Sequence, residues 1–150
     1  MSIEIKDKNN IPELLKSLPQ ERERILRLAG AFLEGKVKET IQQGRQDWPP
    51  LKPSTIKRKG SDKPLIDTGK LLNSITHKVE GNIAKVGVFG EYCIVAAVME
   101  YGTTRAGRNR NVVIPARPYL RTSFDENKEE IERLIGSEVQ AVIEKFIIRL

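Results

Sequence analysis

Two side chains in this 150-residue chain invite a chemical reading first, a lone cysteine and a lone histidine. Cys93 lies inside the apolar run YCIVAAV. With no second cysteine it forms no internal disulfide, and with no ligand-spaced companion it holds no metal, so it reads as a small core residue. His77 is equally isolated, with neither a second histidine nor a nucleophile at motif spacing, so a transition-metal site or a histidine-based triad cannot be assembled around it. No paired-carboxylate motif or zinc spacing occurs. The fragment GVFGEY lacks the G-x-G-x-x-G spacing and a following long helix, and its glycines read as punctuation at a strand end. The expectation is a protein that is not an enzyme and holds no cofactor or metal. A small hydrolase would require a deep pocket converging on His77, or on Asp67 and Glu91.

The cations are more informative. The stretch IPARPYLRTSF, residues 114–124, fixes Arg117 between Pro115 and Pro118. Each proline locks its own φ and drives the preceding residue toward extended backbone, and Pro118 suits the first position of a helix. Arg117 is therefore aimed, and two targets are open. One is a neighbouring subunit's carboxylate, met by a rigid bidentate donor. The other is internal, a pairing with Glu100 or with helix-end carbonyls that ties the last helix to the short one before it. The internal target is favoured, because Ile114, Tyr119 and Leu120 have the character of buried residues and an arginine among them needs a fixed partner.

Arg105, Arg108 and Arg110 in TTRAGRNRN, and Lys57, Arg58 and Lys59 in STIKRKG, have no such anchoring. They are candidates for contact with a partner protein or with DNA phosphates, against the plainer reading of solvated loops. Charge is unevenly placed: the net +6 divides into +1 over residues 1–48, +8 over 49–121 and −3 over 122–150. A basic centre of this kind can meet nucleic acid or an acidic protein surface.

The elements that must position these residues follow from periodicity. At 39% hydrophobic and 31% charged residues the chain is expected to be one globular domain, spanning 1–150. No apolar run approaches the ~20 residues that cross a bilayer, and MSIEIKDKNN has no apolar leader region, so a cytoplasmic protein without membrane contact is expected. Residues 1–10 read as a loose arm. IPELLKSL allows a short helix that Pro19 interrupts, and residues 20–43 form a long helix with Leu26, Leu33, Val37 and Ile41 on one stripe and Ile25, Leu28 and Phe32 beside it. Residues 44–66 are a long irregular connection, pinned by Trp48 and Leu51, with one helical turn capped by Ser54 or Thr55 and a second, from Gly69, capped by Thr68.

SITHKVEGNIAKVGVF alternates around Glu80-Gly81-Asn82 as an antiparallel hairpin. EYCIVAAVMEYGT reads as a short buried helix ended by Gly102. Residues 103–111 should then be an exposed basic loop, and VVIPA a strand at the sheet's edge, where Pro115 donates no ladder bond. From Pro118 onward the chain is helical, with Ile131, Ile135, Val139, Val142, Ile143 and Phe146 as its apolar stripe. The resulting fold class is α+β: a small antiparallel sheet packed against a long N-terminal and a long C-terminal helix, with an extended basic loop.

Four strings in order, DWPPLKPSTIKRKG, LIDTGKLLNSI, VAAVMEYGT and IPARPYL, resemble the phage virion morphogenesis and tail completion family of Mu-like phages and prophages. The resemblance runs over residues 47–124 and rests on Trp48, Leu51, Thr68, Gly69, Gly102, Pro115, Arg117 and Pro118. Two departures are mild: Tyr119 stands where Phe is usual, and Glu100-Tyr101-Gly102 where His or Gln often precedes the glycine. The resemblance implies a non-enzymatic structural component of the virion tail or neck, made in the host bacterial cytoplasm. It would act in tail completion or head-tail joining as a subunit of a homo-oligomeric ring, with other tail or neck proteins as partners and possible non-specific DNA contact in a channel. The competing reading is a small basic nucleic-acid-binding protein without a virion role; few exposed aromatics and no helix-turn-helix pattern weigh against it. Because both long apolar stripes should be consumed by the chain's own core, the isolated protein is expected to be monomeric or weakly associated.

Overall fold

The computed structural model describes residues 10–147, so the arm expected over 1–10 lies almost wholly outside the described residues. The apolar spacing that predicts a helix from residue 20 in fact extends further back. α1 runs unbroken over Ile11–Gln43, with Pro19 inside it. A helical proline forfeits one backbone bond and costs about 3 kcal/mol, so other contacts must hold the first two turns. They come from α5, Leu120–Ile147. Asn10 Nδ2 donates to the Phe146 carbonyl at 3.2 Å, Lys145 pairs with Glu21 at 3.3 Å and Arg24 with Glu138 at 2.8 Å. At the other end Ser123 Oγ lies 2.7 Å from Thr40 Oγ1, and Arg45 pairs with Glu126 at 2.6 Å. As positions rise along α1 they fall along α5, so the two helices are antiparallel neighbours.

Between them in sequence lie α2 (Pro53–Lys59), α3 (Lys70–Ser74), the strands β1 (Ile75–Glu80) and β2 (Ile83–Val88), α4 (Cys93–Tyr101), and the strands β3 (Thr103–Ala106) and β4 (Val112–Ile114). β1 and β2 form the expected antiparallel hairpin, with Ile75 opposite Val88 and Glu80 opposite Ile83. Its two-residue turn puts Gly81 at φ 60°, where glycine is unstrained. The residues 103–111 are not one exposed loop. β3 and β4 pair as a second antiparallel hairpin, separate from the first, and β4 does not join the first sheet at its edge. The β-branched run Thr103-Thr104 and Val112-Val113-Ile114 supplies the strand propensity that the arginines and glycine between them concealed.

The core gathers at one end of the helix pair. Val37 and Ile41 from α1 meet Trp48, Leu65, Leu71, Ile75, Ala96 and Tyr119. The sheet is set against α1 at Gly30, where an added Cβ would lie 2.9 Å from the His77 ring. This close approach lets His77 Nδ1 reach the Glu34 carboxylate at 2.6 Å. At the opposite end Ile11, Leu15, Leu18, Val139 and Ile143 remain exposed. The apolar stripes are therefore not wholly consumed by the fold, contrary to the premise for a dilute monomer. No described helix is long and apolar enough to cross a membrane.

Candidate functional site

α4 carries a single charged residue, Glu100, and its carboxylate is buried. It turns toward the start of α5, where no Ser, Thr, Asp or Asn is placed to cap the helix. Glu100 Oε2 accepts the backbone N–H groups of Tyr119 at 2.8 Å and Leu120 at 2.9 Å, and Oε1 accepts that of Arg121 at 3.0 Å. A carboxylate 19 residues away thus replaces the local cap, satisfying three otherwise unpaired donors and facing the positive end of the helix dipole. Burial, followed by the charge of Glu100, pushes the Tyr119 phenol well above its ordinary range. The sequence signal for this role was present: a lone Glu in an apolar helix, and a helix start with no cap of its own.

Glu100 is consequently not the partner of Arg117. Arg117 does lie inside its own domain, 5% exposed, but its guanidinium donates to the Pro49 carbonyl through Nε at 3.0 Å and Nη2 at 2.8 Å, and to Pro50 at 3.4 Å. Prolines 49 and 50 cannot use their nitrogens as donors, and their carbonyls are free to accept. Arg117 N–H donates to the Met99 carbonyl at 2.8 Å, so this one residue joins the end of α4, the chain before α5 and the connection after α1. Trp48 reinforces the joint as a buried pin whose Nε1 donates to the Pro118 carbonyl at 3.1 Å. Pro118 precedes the helix by two residues instead of opening it. Gly102 closes α4 at φ 72°, and an added Cβ would meet Ala116 N at 2.7 Å and the Ile114 carbonyl at 2.9 Å. Pro115 follows at the exit of β4.

The connection 44–66 folds over this joint. α2 opens at Pro53 with Lys52 in the cap position, so neither Ser54 nor Thr55 caps it. α3 opens behind Gly69 in the left-handed region at φ 76°, which leaves Thr68 exposed, one residue short of the cap. Between α2, α3, α4 and the β3–β4 hairpin lies a groove of about 650 Å³. Leu65, Leu71, Met99 and Ile114 give it an apolar floor, Leu51 contributes to one wall, and Asp67 is its one carboxylate against five cations, Lys52, Arg58, Lys59, Lys70 and Arg117. Burial draws the Lys59 ammonium below its ordinary range; Asp67 opposes this, and Arg117 and Arg58 add to it. Burial alone lowers Arg117.

Arg58 and Lys59 of α2 line the same groove as Ala106 and Gly107 of the hairpin, some 50 residues later in the sequence, while the hairpin's arginines do not line it. Arg105, Arg108 and Arg110 are exposed around the hairpin's tip, and Lys57 is exposed on α2. The groove reaches Asp67 but takes in neither His77 nor Glu91. Among the described residues no group of three His, Cys, Asp or Glu is placed to hold a metal ion. α4 is not the buried helix its composition suggested. Only Ala96 and Glu100 are buried, while Ile94 is 72% and Tyr101 76% exposed.

Comparison with known proteins gives two findings. Residues 6–140 match the phage virion morphogenesis family. Over 124 residues the chain is 36% identical to the Mu-like prophage FluMu G protein 2 of Haemophilus influenzae, a match that covers 80% of this chain and 83% of that protein. No solved structure matches the chain.

Proposed function

We propose, from the premise that this chain belongs to the phage virion morphogenesis family, that it is a structural subunit acting in tail completion or head-tail joining as a member of a closed ring. Its role is in building a phage particle, and the finer reading rests on one observation. Arg105, Arg108 and Arg110 are exposed around the tip of the β3–β4 hairpin, whereas a different element, α5, carries the acidic run Asp125, Glu126, Glu129 and Glu130. A ring closes through a heterologous contact between two different faces, and faces of opposite charge bring such contacts together quickly and in one register. The chain works without catalysis: the polar side chains of the joint hold backbone groups, and the exposed cations are left for a partner.

The test is made in a phage or prophage that encodes the chain. Deletion should leave heads and tails unjoined, or tails aberrantly ended, in electron micrographs of the lysate. Complementation with the Arg105→Ala, Arg108→Ala, Arg110→Ala triple variant should restore joining poorly. The purified triple variant should nevertheless differ from the parent by less than ~0.5 kcal/mol in stability, because exposed charges contribute little to the fold. Normal particles after deletion would refute the virion role. Micromolar DNA affinity that weakens steeply with salt, together with normal particles, would favour the nucleic-acid-binding reading.

A further inference from the structure

The groove between α2, α4 and the second hairpin has three properties that belong together. Its five cations outnumber its one carboxylate, Asp67: among the described residues none of Lys52, Arg58, Lys59, Lys70 and Arg117 forms an ion pair with a carboxylate, and Lys59 and Arg117 donate to the carbonyls of Lys63, Pro49 and Pro50. Its floor is apolar. Along one wall runs β4, which has β3 on one edge and no strand on the other among the described residues. Val112 and Val113, both on that strand, are 46% and 58% exposed. An exposed, apolar edge strand is a template for pairing with another chain, and a groove of this size lies in the range that takes up a short ligand.

We propose that this groove is a docking site for an extended acidic segment of another protein, which adds a strand to the free edge of β4 and sets its carboxylates against Arg58, Lys59 and Lys70. Main-chain bonds to β4 supply affinity in this mode, and alternate side chains supply selectivity. Apolar residues of the segment would face Leu71 and Met99. The charge of the groove selects carboxylates, and each pairing relieves cations that now repel one another. A second copy of this chain fits less well, because its own acidic run, Asp125 to Glu130, is held in α5 and is not extended. A DNA duplex is too broad for the concavity. A single strand would want stacking platforms, and Tyr92 is the one aromatic residue on the wall. The inference stands on the groove and goes beyond the ring reading, which survives or fails separately in the particle assay.

The test uses the full chain and a positional-scanning library of end-blocked hexapeptides, so that no particular partner sequence is assumed. The expected result is enrichment of Asp or Glu alternating with apolar residues, and amide shifts at Val112, Val113 and Ile114 in nuclear magnetic resonance spectra on titrating the best peptide. Arg58→Glu with Lys70→Glu should weaken that peptide at least tenfold while circular dichroism stays unchanged, and Val113→Asp should do so independently. Enrichment of neutral or basic peptides, shifts confined to α1 or α5, or unchanged affinity in both variants would each overturn the proposal. So would displacement of the peptide by a DNA oligonucleotide, or a groove that becomes protected with rising protein concentration and no peptide, which would assign it to a second copy.

Discussion

Glu100 and Arg117 show how two buried charges can serve different neighbours although they lie side by side in the fold. The carboxylate takes three backbone donors at the head of α5. The guanidinium takes the carbonyls that two prolines leave without a local use. Removing either leaves its backbone partners, buried at Tyr119 and half-buried at Leu120 and Pro49, without their protein hydrogen bonds. We therefore predict that Glu100→Ala lowers stability by about 2–3 kcal/mol and Arg117→Ala by about 1–3 kcal/mol, measured by urea unfolding. An unchanged midpoint for Arg117→Ala would mean that its role lies outside the chain. Glu34 supplies a pH test. Burial pushes its carboxyl up, but hydrogen bonds from Lys38 and His77 outweigh that and hold it below the ordinary 4.5. A lowered carboxyl contributes stability that is present above the ordinary value and lost as pH falls through the lowered one. The parent should accordingly lose stability below about pH 4.5 more steeply than Glu34→Gln, with the curves converging at low pH.

At the scale of elements, glycines in α1 separate helix propensity from packing. Gly30 and Gly35 both occupy helix interior, where Ala is favoured by about 1 kcal/mol. A Cβ at Gly35 meets nothing within 4 Å, whereas at Gly30 it meets the His77 ring at 2.9 Å and would press on the Glu34 contact. Overpacking costs about 1–3 kcal/mol, enough to reverse the propensity gain. Gly35→Ala should therefore raise the melting temperature and Gly30→Ala lower it; a gain in both would show that the sheet can slide away from α1. The sequence discloses why a glycine is useful in this helix but not which one, since the sheet residue facing Gly30 comes from 47 positions later. The same limit recurs elsewhere. Long helices and the first hairpin were legible because their periodicity is local, and Trp48 as a pin was legible from its isolation in a polar stretch. The second hairpin was obscured because three arginines and a glycine at its tip outweighed short β-branched arms. Pro19 reads as a break in the sequence because the clamp from α5 is invisible locally. The groove itself, which brings Arg58 and the hairpin to the walls of one concavity, arises only from tertiary packing.

Across the whole molecule stability is unevenly placed. The core cluster sits with Val37, Ile41, Trp48 and Tyr119, where the connection, the sheet and α4 all close on the helix pair. Among the described residues the far end consists of the two helices alone, with Ile11 62%, Leu15 60% and Ile143 43% exposed, held by side-chain bonds such as Asn10 to Phe146 and by ion pairs that are partly exposed. Such pairs contribute about 0–1 kcal/mol each, and Pro19 removes one bond from the first helix within that same end. Regions with few buried contacts open at lower free energy than the global transition. Native-state hydrogen exchange should therefore give amides of residues 11–18 and 139–147 protection well below that of residues 33–43, and the difference should vanish only near the unfolding midpoint. Dilution decides the meaning of a contrary result. If the far end is as protected as the core at high concentration and loses that protection on dilution, copies of the chain cover its exposed apolar face. If protection persists unchanged on dilution, the helix pair is stabilised from within, and the uneven distribution inferred from the position of the core is wrong.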